Sequence, residues 1–367
     1  MLNGVSLLAC DESKGRNMET RLYDVHKDNI SECAKAFEEC ADIIKAGGLV
    51  AFPTETVYGL GGNALDAEVS RKIYAAKGRP SDNPLIVHIH DMSQLYEVAE
   101  DVSEEVLSLA EKFWPGPLTM ILRKKTIVPD ATTGGLDTVA VRMPSHKAAL
   151  ELIKASGVPI AAPSANSSGR PSPTCAEHVL QDLKGKIDAV IDGGGVDIGL
   201  ESTIIDVSGD VPVLLRPGYI TTAMLEEVVG KVDRDPTLDK GITEGMKPKA
   251  PGMMYRHYAP KGDMFIVSGS TEAVVKKINE LVEPLAPERT AVITTEENKS
   301  LYNGCRVVCM GRRENEETVA KQLYSVLRKM DEEGIEQIYV ESFDTKELGD
   351  AIMNRLIKAA GYRIINV

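Results

Sequence analysis

The chain has 367 residues, of which 43% are hydrophobic and 26% charged, and a formal net charge of -13. That length passes the roughly 250 to 300 residues at which one core stops growing, so two domains are expected. The acidic balance excludes a general nucleic-acid-coating surface and confines any RNA contact to a local basic patch. No apolar run approaches the ~20 residues of a membrane span.

In chain order, "SLLAC" at 6–10 has the look of a lipoprotein cleavage site, but its apolar run is too short and no Lys or Arg precedes it. "METRLY" reads as an alternative start at Met18, leaving residues 1–22 as an extension. A helix pattern over "ISECAKAFEECADIIKAG" ends at Gly47 and Gly48, and "LVAFPTE" follows as a buried strand. The next helix runs to Lys77, where Gly78 and Pro80 stop it and a cation suits the last turn. If Lys77 and Arg79 instead act on anions, replacing Lys77 by Ala is expected to leave stability within about 1 kcal/mol, as for a helix-end charge, while activity falls by orders of magnitude. Strand "PLIVHIHD", helix "SEEVLSLAEKFWPG", strands "LTMILRK" and "TVAVRMP", a helix from Lys147 to Ser156, and strands "PIAAPSAN", "DAVIDGG", "STIIDVSG" and "VPVLLRPG" complete residues 23–231. Their irregular mixture predicts an α+β, mixed-sheet domain.

Residues 232–261 read as a linker of Pro, Gly, Lys and Asp. Its end, "PGMMYRHYAP", is too rich in aromatic and cationic residues for a passive tether; Tyr255, Arg256, His257 and Tyr258 are expected either to fold over a site as a lid or to pack between domains. In 262–367 strands and helices alternate, which predicts a smaller Rossmann-like parallel α/β sheet. The cysteines at 10, 33, 40, 175, 305 and 309 form no C-x-x-C pair and read as reduced cytosolic thiols. Neither a Walker A loop nor a G-x-G-x-x-G fingerprint is present.

What remains is a series of polar clusters placed just after apolar strands, where ligand sites collect. "LVAFPTETVYGLG", "KGRPSDNPL", "VRMP", "APSAN", "STIID", "LRPG", "PGMMYRHYAP" and "GDAIMNRLIKAA" occur in that order. Each alone also reads as a turn or a capped loop. Together, from Tyr23 to Arg363, they resemble the threonylcarbamoyl-AMP synthase family in its two-domain form, with a YrdC-like catalytic domain.

The resemblance implies a nucleotidyltransferase that makes threonylcarbamoyl-AMP and pyrophosphate from L-threonine, bicarbonate and ATP, with Mg2+ on the phosphates, in the cytoplasm. The product would feed tRNA threonylcarbamoyladenosine modification by a downstream threonylcarbamoyl-transferase complex, with tRNA or double-stranded RNA as a further contact. Lys77, Arg79 and Ser164 are implied in catalysis. Arg79, Asn83, Thr138, Ser164, Ser172, Arg216 and Tyr255 are implied for ATP, and Thr56, His88, Arg142, Ala162 and Ser202 for threonine; no residue is implied as a metal ligand. Fixed cations suit such a reaction because a carboxylate, a bicarbonate and a polyphosphate must converge without repelling one another. A similar domain occurs as a double-stranded RNA-binding module, against which Thr56, Arg142 and Ser202 weigh. It also occurs in a hydrogenase-maturation carbamoyltransferase, whose Cys-rich zinc motifs this chain lacks.

Overall fold

A computed structural model describes residues 5–6, 19–25, 33–240, 248–253, 257–344 and 346–367. The chain divides into two compact units. The first comprises Met1–Ser168, Ser172–Asp197 and Glu201–Met254, and the second Gly169–Pro171, Ile198–Leu200 and Tyr255–Val367.

Among the described residues of the first unit, twelve strands form one mixed sheet. Its order is Val5–Ser6, Arg21–Asp24, Ala189–Asp192, Val50–Phe52, Gly59–Asn63, Ile160–Ala161, Ile86–His88, Thr138–Arg142, Leu118–Arg123, Thr203–Asp206, Val213–Arg216 and Asp233–Arg234. Neighbouring pairs are both parallel and antiparallel, as expected of a mixed sheet. The two-residue alternation of each strand separates two faces. On one face Ala51, Leu60, Val87, Met120, Leu122, Val139, Val141, Ile205 and Leu214 join the larger core beneath helices Ala67–Lys77 and Glu104–Phe113. The other face divides along the sheet. Val50, Phe52, Ile160 and Ile191 are covered by helices Ala34–Lys45 and Lys147–Ser156. Farther along, Ile86, Ile121, Ala140, Ile204 and Leu215 form a small apolar floor shared with Ala250 and Met253.

Sequence and local structure agree closely where caps are explicit. Helix Lys147–Ser156 begins after His146, whose ring accepts from Ala148 N, and ends at Gly157 with φ 66. Helix Ala67–Lys77 is capped by Asp66, which accepts from Glu68 N and Val69 N, and stops at Gly78 with φ 63. The strand expected over "LVAFPTE" ends at Phe52. Gly59–Asn63, three of whose five residues are glycine, was not expected as a strand, yet it lies inside the sheet. A Cβ on Gly62 would stand 2.3 Å from Val69 Cγ1, so the missing side chain lets the helix approach. Part of the expected linker belongs to the first unit: Asp233–Arg234 pairs with Val213–Arg216, and Ala250 and Met253 are buried.

The second unit holds a wholly parallel five-stranded sheet in the order Arg306–Cys309, Thr290–Thr294, Gln337–Glu341, Asp263–Ser268 and Ile364–Asn366. The α/β expectation holds, with one unexpected strand, Ile364–Asn366, on the edge. Within this unit Tyr258 is 1% exposed, with its ring centroid 5.2 Å from that of Tyr324 and 5.8 Å from the Arg355 guanidinium. Tyr255 and Arg256 lie outside the described residues.

Candidate active site

The face carrying the small apolar floor also carries His88, Thr138 and Arg142, three of the polar residues singled out from the sequence. Strands Ile86–His88 and Thr138–Arg142 run parallel, with Ile86 level with Ala140 and His88 level with Arg142. Alternation puts Thr138, Ala140 and Arg142 on one face. Thr138 itself pairs with Arg123 on the neighbouring antiparallel strand. Four residues at about 3.3 Å each separate Thr138 from Arg142 by roughly 13 Å. The row therefore has two ends, Arg142 beside His88 at one and Thr138 at the other.

At the first end His88 is buried, and its Nδ1 lies 3.2 Å from Ile86 O. Burial, reinforced by the positive charge of Arg142, pushes its pKa down to about 3, so the ring is neutral at ordinary pH. Arg142 donates from Nε to Gly116 O at 3.4 Å, and its Nη2 lies 2.7 Å from Glu55 Oε1. Glu55 Oε2 accepts from Ser145 N at 3.2 Å. Thr56, adjacent to Glu55, is fully buried, with its hydroxyl 2.8 Å from that of Thr54. Glu55 was not singled out from the sequence, although an acidic residue at the end of a buried strand pattern was the available signal.

Ser202 and Arg216, assigned above to different ligands, belong to one buried network. Ser202 Oγ lies 2.7 Å from Thr119 Oγ1, and Arg216 donates to Ser202 Oγ at 3.1 Å, to Ser202 O at 3.0 Å and to Pro251 O at 3.2 Å. Ser172 donates to Glu201 Oε1 at 2.5 Å. Thr119 and Glu201 are thus further residues that spacing did not reveal.

In the loop leading into strand Ile86–His88, Arg79 donates to Asn83 O at 3.3 Å and to Pro84 O at 3.1 Å, shaping the loop that carries Asn83. Asn83 is 5% exposed, and its side-chain oxygen is buried without a hydrogen-bond partner among the described residues. Lys77 is not a solvated helix end. It is 4% exposed and donates to the carbonyls of Ser164 and Asn166, the latter at 2.5 Å. Ser164 Oγ donates to Asn166 Oδ1 at 2.6 Å, and Ala162 N donates to Ile86 O at 2.8 Å, which ties this loop to the central strands. Lys77 and Arg79, two residues apart, therefore shape two different loops.

A mixed-sheet unit that collects buried Lys, Arg, Ser, Thr and Asn at its strand ends, followed by a parallel α/β unit, has the makings of a binding site for anionic small molecules. The family described as "Telomere recombination" matches residues 42–218, and that described as "Threonylcarbamoyl-AMP synthase, C-terminal domain" matches 220–361. The threonylcarbamoyl-AMP synthase of Bacillus subtilis is 49% identical over 95% of this chain and 100% of that protein. That of Pyrococcus abyssi is 49% identical over 89% of this chain and 94% of that protein. A crystal structure of Pyrococcus abyssi Sua5 complexed with L-threonine superposes with a TM-score of 0.86 at 48% identity, covering 91% of this chain and 96% of that one. The chain belongs to the threonylcarbamoyl-AMP synthase family.

Proposed function

We propose that the chain is an L-threonylcarbamoyladenylate synthase, a nucleotidyltransferase that converts L-threonine, bicarbonate and ATP to threonylcarbamoyl-AMP, pyrophosphate and water. The observation that carries this reading is the row on adjacent parallel strands in which Arg142 lies level with His88 and Thr138 shares the face of Arg142. With Arg142 and Thr138 roughly 13 Å apart on one strand, two ligands can be anchored separately with their reacting groups meeting between. In this reading Arg142 takes the threonine carboxylate, and Thr56, His88, Ala162 and Ser202 surround the rest of the amino acid. Asn83, Thr138, Ser164, Ser172 and Arg216 take the nucleotide, joined by Tyr255. Lys77 and Arg79 hold the loops that line the phosphates and bicarbonate.

Catalysis of this kind is positioning and charge neutralisation, and it needs no protein nucleophile. The threonine nitrogen attacks the bicarbonate carbon, and the resulting N-carboxylate attacks the α-phosphorus of ATP and expels pyrophosphate. Magnesium enters this reading on the phosphates, where it supplies charge neutralisation. Among the described residues no group of three or more His, Cys, Asp and Glu comes together, and Glu55 and Glu201 already face Arg142 and Ser172. The buried Asn83 Oδ1, without a hydrogen-bond partner among the described residues, is suited to the ion or to its water. The product would pass to a transferase acting on tRNA.

The test is pyrophosphate release by the purified chain with ATP, threonine and bicarbonate, each omitted in turn. Release that requires all three is expected. Release independent of threonine, or none in the complete mixture, would remove this reading.

A further inference from the structure

Glu55 and Arg142 form a buried pair with an unusual geometry. Their side chains are 7% and 4% exposed, and Glu55 Oε1 stands 2.7 Å from Arg142 Nη2. Yet neither of those two atoms takes part in an aligned hydrogen bond among the described residues. The rest of each group is tied to backbone, Glu55 through Oε2 to Ser145 N and Arg142 through Nε to Gly116 O. Each charge is thus tied to backbone through one atom, while a second, buried atom keeps unused hydrogen-bonding capacity. Pairs built only for stability repay their desolvation through aligned, usually bidentate bonds. This pair leaves part of that repayment unmade.

Resting on the activity proposed above, we infer that Glu55 is a catalytic residue that binds the ammonium group of threonine and accepts its proton. An α-amino acid carries an anion and a cation on adjacent groups, and the Arg142–Glu55 pair presents the complementary cation and anion side by side. Threonine would place its carboxylate on Arg142 Nη2 and its ammonium on Glu55 Oε1. Four charges then alternate, and no net charge is buried. As the nitrogen lone pair forms the N–C bond to bicarbonate, one ammonium proton passes to Glu55 Oε1. A second nitrogen proton leaves with the bicarbonate hydroxyl as water. The product is the N-carboxylate, and Glu55 returns its proton to solvent.

The test compares L-threonine with (R)-3-hydroxybutyrate, which is threonine with hydrogen in place of the amine, in calorimetric titrations of the full chain. The wild-type chain is expected to bind the amine-free acid at least tenfold more weakly, because its carboxylate then faces Glu55 with no cation between. Glu55→Gln should weaken threonine binding at least tenfold and close most of the gap between the two ligands. With threonine saturating, its turnover should fall at least a hundredfold while ATP binding is unchanged, and Glu55→Asp should recover part of the threonine affinity. Equal wild-type affinity for the two ligands would overturn the assignment even if Glu55→Gln does not fold, and so would a gap that survives in Glu55→Gln. A wild-type chain that binds ATP but not threonine would instead remove the proposed function, and this assignment with it.

Discussion

Replacing Lys77 by Met keeps most of the aliphatic side chain and removes the ammonium. For a solvated cation at a helix end the cost would stay within about 1 kcal/mol. Lys77 is instead 4% exposed and caps two carbonyls, those of Ser164 and Asn166. The Asn166 carbonyl bond is buried, and leaving such an acceptor unpaired costs about 1–3 kcal/mol; the part-buried Ser164 carbonyl adds roughly half as much. The sum is about 1.5–4.5 kcal/mol, above the helix-end figure. Trp114, the chain's one tryptophan, reports on the first unit alone: it is 8% exposed and donates from Nε1 to Leu118 O at 2.7 Å. Its fluorescence during urea unfolding should show Lys77→Met losing stability by that amount, and pyrophosphate release should fall by orders of magnitude. A loss below about 0.5 kcal/mol would mean that water replaces the ammonium at both carbonyls, and the argument from burial would fail.

Three other outcomes follow from particular contacts. His88 stays neutral down to about pH 3 in the folded chain, whereas the unfolded chain protonates it near 6.5. Stability should therefore fall as pH drops from 6.5 towards 3, by at most about 1.4 kcal/mol per pH unit, and His88→Gln should lose less over that window; parallel urea-unfolding curves for the two chains would contradict this. Gly62→Ala would put a methyl group 2.3 Å from Val69 Cγ1, and a loss of about 1–3 kcal/mol in the same assay is expected, an unchanged midpoint being the contrary result. If the site hydrogen-bonds the threonine hydroxyl, valine should react at least tenfold less efficiently, since unpaired buried partners cost about 1–3 kcal/mol; comparable pyrophosphate release with the two amino acids would remove that assignment.

The sequence by itself determined the elements whose signals are local. The helix Lys147–Ser156 was legible because a stop at Gly157 follows an amphipathic run, and the parallel unit was legible because its strands and helices alternate. Motif order placed Thr56, His88, Arg142, Ser164, Ser202 and Arg216 after apolar strands, and the fold puts all six in the first unit. Tertiary structure decided what local patterns cannot carry. Gly59–Asn63 is a strand because Phe52 and Val69 approach its missing side chains, and glycine has no strand preference of its own to announce this. Lys77 is buried because the loop at Ser164–Asn166, almost ninety positions later, brings its carbonyls onto the end of the helix. Glu55 meets Arg142 across a similar separation in sequence, and Arg216 meets Ser202 because its strand pairs antiparallel with Thr203–Asp206, which Ser202 immediately precedes. Spacing along a chain reports which residues share a helix or strand face, whereas the partner of a buried charge is set by strand order and register, which are fixed only when distant segments pack.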